Sequence, residues 1–211
     1  PSPVTAYGVY MGIKACAQAK YSDDSLAGKH VAVQGLGHVG YYLCKDLAEE
    51  GAKLTVTDID QDRVKQVVDE FGAEAVEPDA IYAVDADIFA PCALGAIVND
   101  DTIDVLNVDI VAGAANNQLA RGPIHGPALD ERGILYAPDY VINAGGLINV
   151  YGEIEGWSPE RSKRKAGDIY NTLMRTFELA TTEGLAPHAA ANKVAETRIR
   201  EARHLQRTYL S

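Results

Sequence analysis

The ten residues Val31-Ala32-Val33-Gln34-Gly35-Leu36-Gly37-His38-Val39-Gly40 constrain this chain more than any other stretch. The first four read as a short buried strand. Gly35, Gly37 and Gly40 follow as G-x-G-x-x-G, and residues 41–50 carry Tyr42, Leu43 and Leu47 at helical spacing. Strand, glycine turn and helix, in that order, are the setting a dinucleotide fingerprint requires. Gly35 permits the tight turn, Gly37 lets a pyrophosphate approach the backbone, and Gly40 lets the helix pack close to the strand. The free N–H groups and positive dipole end of the helix then face the phosphates. His38 and Val39 fall inside the turn; His38 either touches a phosphate or faces solvent.

Such a motif gains weight from its second half. Residues 53–57 read as the next strand, and Asp58 ends it with Ile59 alongside. The fingerprint expects an acidic residue about 20 residues on, accepting hydrogen bonds from the adenosine ribose hydroxyls. Asp58 meets that expectation. The competing reading of Asp58 is a helix N-cap, a position that Asp60 fits better.

Charge and composition narrow the classes. A net charge of −11 over 211 residues, with no basic stripe, argues against a nucleic-acid partner. No apolar run approaches the roughly 20 residues of a membrane span, and no secretory signal opens the chain. A cytoplasmic protein without a membrane partner is therefore expected. Cys16, Cys44 and Cys92 are odd in number and lack C-x-x-C spacing, which fits a reducing compartment and no metal site. His30, His125, His188 and His204 lack ligand spacing and are read as surface residues. The chain opens on Pro1-Ser2-Pro3 without an initiator Met, so a fragment or a processed form is expected.

Along the chain, residues 3–19 read as a helix with Val9, Ile13 and Cys16 on one face. Asp60 should cap a helix over 61–71 that Gly72 stops. Further strands are expected at 87–90, 109–112 and 134–137, the first ended by Pro91. Short apolar strands alternating with helices give a parallel sheet covered on both faces. The expectation is one α/β domain over residues 1–211, a Rossmann-type doubly wound parallel sheet with additional C-terminal helices at about 158–208. One of those helices starts at Ser158-Pro159 and carries Ala166, Ile169, Tyr170, Leu173, Phe177 and Ala180 toward Gly184. The last starts at Pro187 and carries Ala191, Val194, Ala195, Ile199 and Ala202. Both stripes are read as core, and Arg161, Lys163, Arg164 and Lys165 as a solvated face.

Open parallel sheets bind ligands at the C-terminal ends of their strands. The loops there are Ala90-Pro91-Cys92-Ala93-Leu94-Gly95, Gly113-Ala114-Ala115-Asn116-Asn117-Gln118 and Asn143-Ala144-Gly145-Gly146. Asn117 and Asn143 can both donate and accept. They suit a carboxamide or a substrate amino or carboxylate group, and equally a turn or a cap.

With these loops, with Ser2-Pro3-Val4-Thr5-Ala6-Tyr7-Gly8-Val9 and with Tyr136-Ala137-Pro138-Asp139-Tyr140-Val141-Ile142-Asn143, the chain resembles a known family. It is similar to the cofactor-binding half of the glutamate/leucine/phenylalanine/valine dehydrogenases, and most so to their leucine-dehydrogenase branch. The resemblance implies reversible oxidative deamination of an L-amino acid to a 2-oxo acid and ammonia, with NAD as hydride acceptor. It implies that Thr5 binds the nicotinamide carboxamide, that Gly35, Gly37 and Gly40 cradle the pyrophosphate, and that Asp58 holds the ribose. Ala90, Pro91, Cys92, Ala93 and Leu94 would line the cofactor groove. Asn117 would sit beside nicotinamide and substrate, Asn143 would close the nicotinamide side, and Leu147 and Val150 would shape the substrate side-chain pocket. A homo-oligomer is implied for the full enzyme.

The departures carry equal weight. The family's lysine after a glycine run, its second catalytic lysine and its aspartate have no counterpart here; Lys29 follows a single Gly. That chemistry needs a lysine to activate water and a carboxylate to move protons. The chain is thus expected to bind NAD and, alone, to lack turnover, with no catalytic residue of its own. His38 stands where the family often has Asn. Two other classes stay open, a stand-alone NAD-binding regulatory module and a Rossmann enzyme such as a methyltransferase. Phenylalanine, valine or tryptophan specificity is the alternative within the family.

Overall fold

The computed structural model describes residues 2–209, with side chains through residue 200. Strand β1 (His30–Gln34) sits at the middle of the sheet. Its apolar run is buried on both faces, as a central parallel strand requires: Val31 and Val33 join one hydrophobic cluster and Ala32 the other. Strand β2 (Lys53–Thr57) pairs with β1 in parallel, Gln34 opposite Thr57. On the other side β4 (Ile88–Pro91) pairs with β1, Gln34 opposite Pro91. Beyond them lie β3 (Glu74–Ala75), β5 (Ile110–Val111) and β6 (Leu135–Tyr136). The order is β3-β2-β1-β4-β5-β6, all parallel. The strand order switches direction between β1 and β4, the crevice where doubly wound sheets take ligands.

Helix α2 (His38–Glu50) returns the chain from β1 to β2 and buries Leu43, Cys44 and Leu47. Helix α3 (Gln61–Phe71) is capped by Asp60, whose side chain accepts from the Asp62 and Arg63 backbone N–H groups, and Gly72 closes it in the left-handed conformation. Helix α1 (Ser2–Tyr21) packs against α2 and the C-terminal helices. More of it is buried than its single expected stripe, because small residues let neighbours approach: a Cβ on Gly8 would lie 2.7 Å from the Ile169 side chain, and one on Gly12 would meet Ile142.

Several expectations need correction. Pro91 is the last residue of β4 and not the residue beyond it. It costs the ladder no bond there, since Cys92 N–H takes up the Gln34 carbonyl at 2.7 Å. Strand β3, the 3₁₀ helix Pro78–Ala83 and helix α4 (Gly122–Glu131) had no sequence signal: β3 is two residues long, and Pro123 and Pro127 mask α4. Helices begin well before Gly156, with α5 (Asp139–Ile142) and α6 (Gly145–Ile154). The long stripe from Ala166 spans two helices, α7 (Pro159–Gly167) and α8 (Ile169–Glu183), joined at Asp168. The apolar stripe of α9 (Pro187–Tyr209) is core only at its start: Ala191 is buried, Val194 and Ala195 are half-buried, and Ile199 is exposed. The side chains of Ala202 and His204 lie outside the described residues.

His125 is buried, not on the surface. Its Nδ1 accepts from the Arg121 N–H at 3.0 Å, which leaves Nε2 to donate to Asp100 at 3.0 Å. This pins the loop after β4 onto α4. His188, on α9, packs its ring against the backbone of Gly126 on α4, and its buried Nδ1 has no partner among the described residues. Burial holds its pKa below the usual imidazole value. The neutral ring is the form the fold accepts, so stability present above about pH 6.5 is lost as the pH falls below it. Thermal melts from pH 8 to pH 5 should therefore slope less steeply in a His188→Gln variant than in the parent. Parallel slopes would remove His188 from the account.

Candidate functional site at the strand-end edge

The glycine turn sits at the C-terminal end of β1, flanked by the loops that leave β2 and β4. Each fingerprint glycine stands in a different environment. Gly35 has φ +94° and a Cβ there would lie 2.6 Å from the Ala93 Cβ, so conformation and packing both demand glycine. A Cβ on Gly40 would run into the Gly35 carbonyl oxygen. Gly37 differs. Its φ of −62° and ψ of −173° suit any residue, and the atom nearest its would-be Cβ is Arg63 Nη1, 3.8 Å away. Nothing in the fold requires glycine at that point.

Gly37 is also the N-cap of α2, and no side chain caps that helix. The first N–H groups of a helix have no partner within it. Here they are left pointing at the space above Gly37, with the positive dipole end behind them. His38 is exposed and Val39 half-buried at this mouth.

Asp58 is half-buried at the end of β2 and does two things. Its Oδ2 accepts from the Leu36 N–H at 2.5 Å, and its Oδ1 from the Asp60 N–H at 2.9 Å. The first bond ties the glycine turn to β2, a structural duty that spacing alone did not reveal. Each oxygen keeps further acceptor capacity, so a ribose hydroxyl can still be taken. Asp60, not Asp58, caps α3. Ile59 is 91% exposed beside Asp58, and Leu94 is 76% exposed across the turn on the β4 loop. Both are apolar side chains left open on loops at the strand-end edge.

Strand β4 ends on buried Ala90 and Pro91, and its loop follows with half-buried Cys92 and exposed Ala93. Burial pushes the Cys92 thiol up to about 11, so it lines the groove as a neutral group. The β4 and β5 loops are locked together. The Ala96 N–H donates to the Asn117 carbonyl at 2.6 Å, and Ala96 and Asn117 both take the left-handed conformation. Buried Gln118 shapes the β5 loop by donating to the carbonyls of Gly113 and Ala115, each at 2.9 Å. No motif pointed to that glutamine.

The segment Asn143–Gly146, read as a loop, is a two-residue turn followed by the start of a helix. Asn143 caps the C-terminus of α5, and Gly145 opens α6. The Asn143 amide donates to Asn116 Oδ1 at 2.6 Å and lies 3.4 Å from the Ala114 carbonyl. Its partner is therefore Asn116 and not Asn117, which is exposed alongside. Thr5 approaches from α1: its Oγ1 would be 3.1 Å from a Cβ on Gly146. Thr5, Gly146, Asn143, Asn116 and Asn117 thus form one polar rim. On α6, Leu147 and Val150 lie one turn apart and are 74% and 47% exposed, with Tyr151 and Ile154 continuing the apolar face. Among the described residues no cluster of histidine, cysteine and carboxylate side chains is placed to hold a metal, and no helix is long and apolar enough to cross a membrane.

Sheet order and turn together define a Rossmann-type α/β protein whose glycine turn lies at the topological switch point. The sequence model for glutamate/leucine/phenylalanine/valine dehydrogenases matches residues 2–62 and 55–207, and the chain belongs to that family. It is 56% identical to the leucine dehydrogenase of Thermoactinomyces intermedius over 210 residues, 100% of this chain and 57% of that protein. It is 44% identical to the valine dehydrogenase of Streptomyces coelicolor over 205 residues, 96% of this chain and 56% of that protein. The crystal structure of L-tryptophan dehydrogenase from Nostoc punctiforme superposes with a TM-score of 0.93 at 49% identity, covering 95% of this chain and 61% of that one. The chain thus spans little more than half the length of the curated relatives it matches.

Proposed function

We propose that this chain is the NAD-binding part of an L-amino-acid dehydrogenase, which converts an L-amino acid reversibly to a 2-oxo acid and ammonia. The observation that carries the reading is Gly37: a glycine that neither backbone conformation nor packing demands, at an uncapped helix N-terminus. The bound nicotinamide supplies hydride acceptance. The residues of this chain position it. The α2 N–H groups hold the diphosphate, Asp58 takes the ribose hydroxyls, and Ile59 and Leu94 cover the base. Thr5 and Asn143 orient the carboxamide. Asn117 and Asn116 reach toward the substrate, and Leu147 and Val150 form one wall of its side-chain pocket. Among the described residues no lysine hydrogen-bonds to Asn116, Asn117 or Asn143, and the Asp139 carboxylate accepts from the Gln118 and Tyr140 backbone N–H groups, so the acid and base for proton transfer are expected from another part of the protein. The identity of 56% to a leucine dehydrogenase, against 49% to the L-tryptophan dehydrogenase structure, favours a branched aliphatic substrate.

NAD is expected to bind more tightly than NADP. A 2′-phosphate would face the Asp58 carboxylate, with Asp60 and Asp62 nearby, and would be repelled while leaving the acceptor unpaired. Calorimetric titration with both cofactors tests this, and equal or tighter NADP binding would defeat it. Asp58→Ala should weaken NAD by about 1–2 kcal/mol, the worth of a charged hydrogen bond. Part of that loss would come through the freed Leu36 N–H, so Asp58→Asn, which keeps an acceptor, should lose less.

A further inference from the structure

Arg63 brings a charge to a place where the glycine motif alone calls for none. It is the third residue of α3, and its Nε lies 3.2 Å from Asp60 Oδ2. Asp60 is itself fixed, because the same carboxylate caps the helix. So held, the guanidinium reaches back over the turn, with Nη1 3.8 Å from where a Gly37 Cβ would stand. The side chain is 52% exposed and can shift without disturbing the core. A guanidinium offers five donors in a planar fork suited to phosphate oxygens, and Asp60 engages only one edge of it.

We propose that Arg63 is a diphosphate-binding residue, held by Asp60 over Gly37 so that its free edge complements the α2 N–H groups. The inference rests on the turn being a dinucleotide site. The same chemistry would serve the 2′-phosphate of NADP, but that group would lie at Asp58, whereas the guanidinium lies over Gly37.

The test titrates the full-length protein and its Arg63→Gln variant with NAD, ADP, adenosine and NADP. The variant should bind NAD and ADP about tenfold more weakly at low salt, with the gap closing as ionic strength rises. Adenosine should bind both proteins equally. Asp60→Asn keeps a good N-cap but loses the ion pair that holds the guanidinium over Gly37, so NAD and ADP should bind more weakly than to the parent, though less weakly than to Arg63→Gln. Unchanged NAD and ADP affinity in Arg63→Gln would overturn the proposal. So would a loss confined to NADP, which would move Arg63 to the 2′-phosphate. If the parent protein binds neither NAD nor ADP, the site reading itself fails and takes this role with it.

Discussion

Valine in place of Gly37 is expected to abolish NAD binding and leave the fold intact. The position has extended backbone that a β-branched residue adopts without strain, and the first protein atom its Cβ would approach is 3.8 Å away. What the side chain would fill is the space a diphosphate needs. The neighbouring glycines give the opposite result. Gly40→Ala drives a Cβ into the Gly35 carbonyl oxygen, and Gly35→Ala adds a left-handed penalty to a clash with Ala93. Overpacking of this kind costs about 1–3 kcal/mol. Melts with and without NAD separate the cases. NAD should raise the parent's midpoint and leave that of Gly37→Val unmoved, while the two alanine variants should melt lower even without ligand. A Gly37→Val protein that NAD still stabilises normally would show that the phosphates bind elsewhere.

The second large effect is on turnover. A polypeptide of these 211 residues alone should reduce no NAD with L-leucine, and supplying the lysine-bearing part of the protein should restore the reaction. Hydride transfer needs substrate and nicotinamide about 3–3.5 Å apart in a closed, dry cleft. On the proposed reading, the face of α6 that leaves Leu147, Val150 and Ile154 in the open would be one wall of such a cleft. Positioned acid and base groups are typically worth 10²–10⁴-fold more, and the carboxylate beside the Asn117 rim, Asp139, is taken up by the Gln118 and Tyr140 backbone N–H groups. In the full-length enzyme, Leu147→Gly should then favour bulkier amino acids. Robust NADH formation by the isolated chain would mean that its catalytic groups have gone unrecognised. An unchanged substrate profile in Leu147→Gly would mean that other residues line the pocket.

What the sequence made legible and what it hid follow from range. Residues 53–57 and 61–71 match β2 and α3 to the residue, because strand run, Asp60 cap and Gly72 stop are all local signals. The turn was equally plain, since close approach at Gly35 and Gly40 leaves glycine as the sole solution. The β3 edge strand, the proline-bearing α4 and the start of α6 are held by their neighbours and carry little periodicity of their own. In the site, Asp58 was legible as an acceptor, but its bond to Leu36 N–H spans 22 positions and left no trace in spacing. The same holds for Asn143 finding Asn116 across 27 positions, and for His125, whose burial depends on Asp100 and the fold of α4. Arg63, five positions after Asp58, stands out in the sequence as the residue that could rescue NADP, but its place over Gly37 depends on α3 lying beside the turn.

The central claim is that the turn at 35–40 receives the diphosphate of NAD. Hydrogen exchange of the backbone amides of His38, Val39 and Gly40, measured with and without NAD, tests it most directly. These amides head an uncapped helix, so NAD should slow their exchange more than that of the amides of α4 or α9, which lie away from this edge. Protection confined to other segments, or none at saturating NAD, would contradict the account.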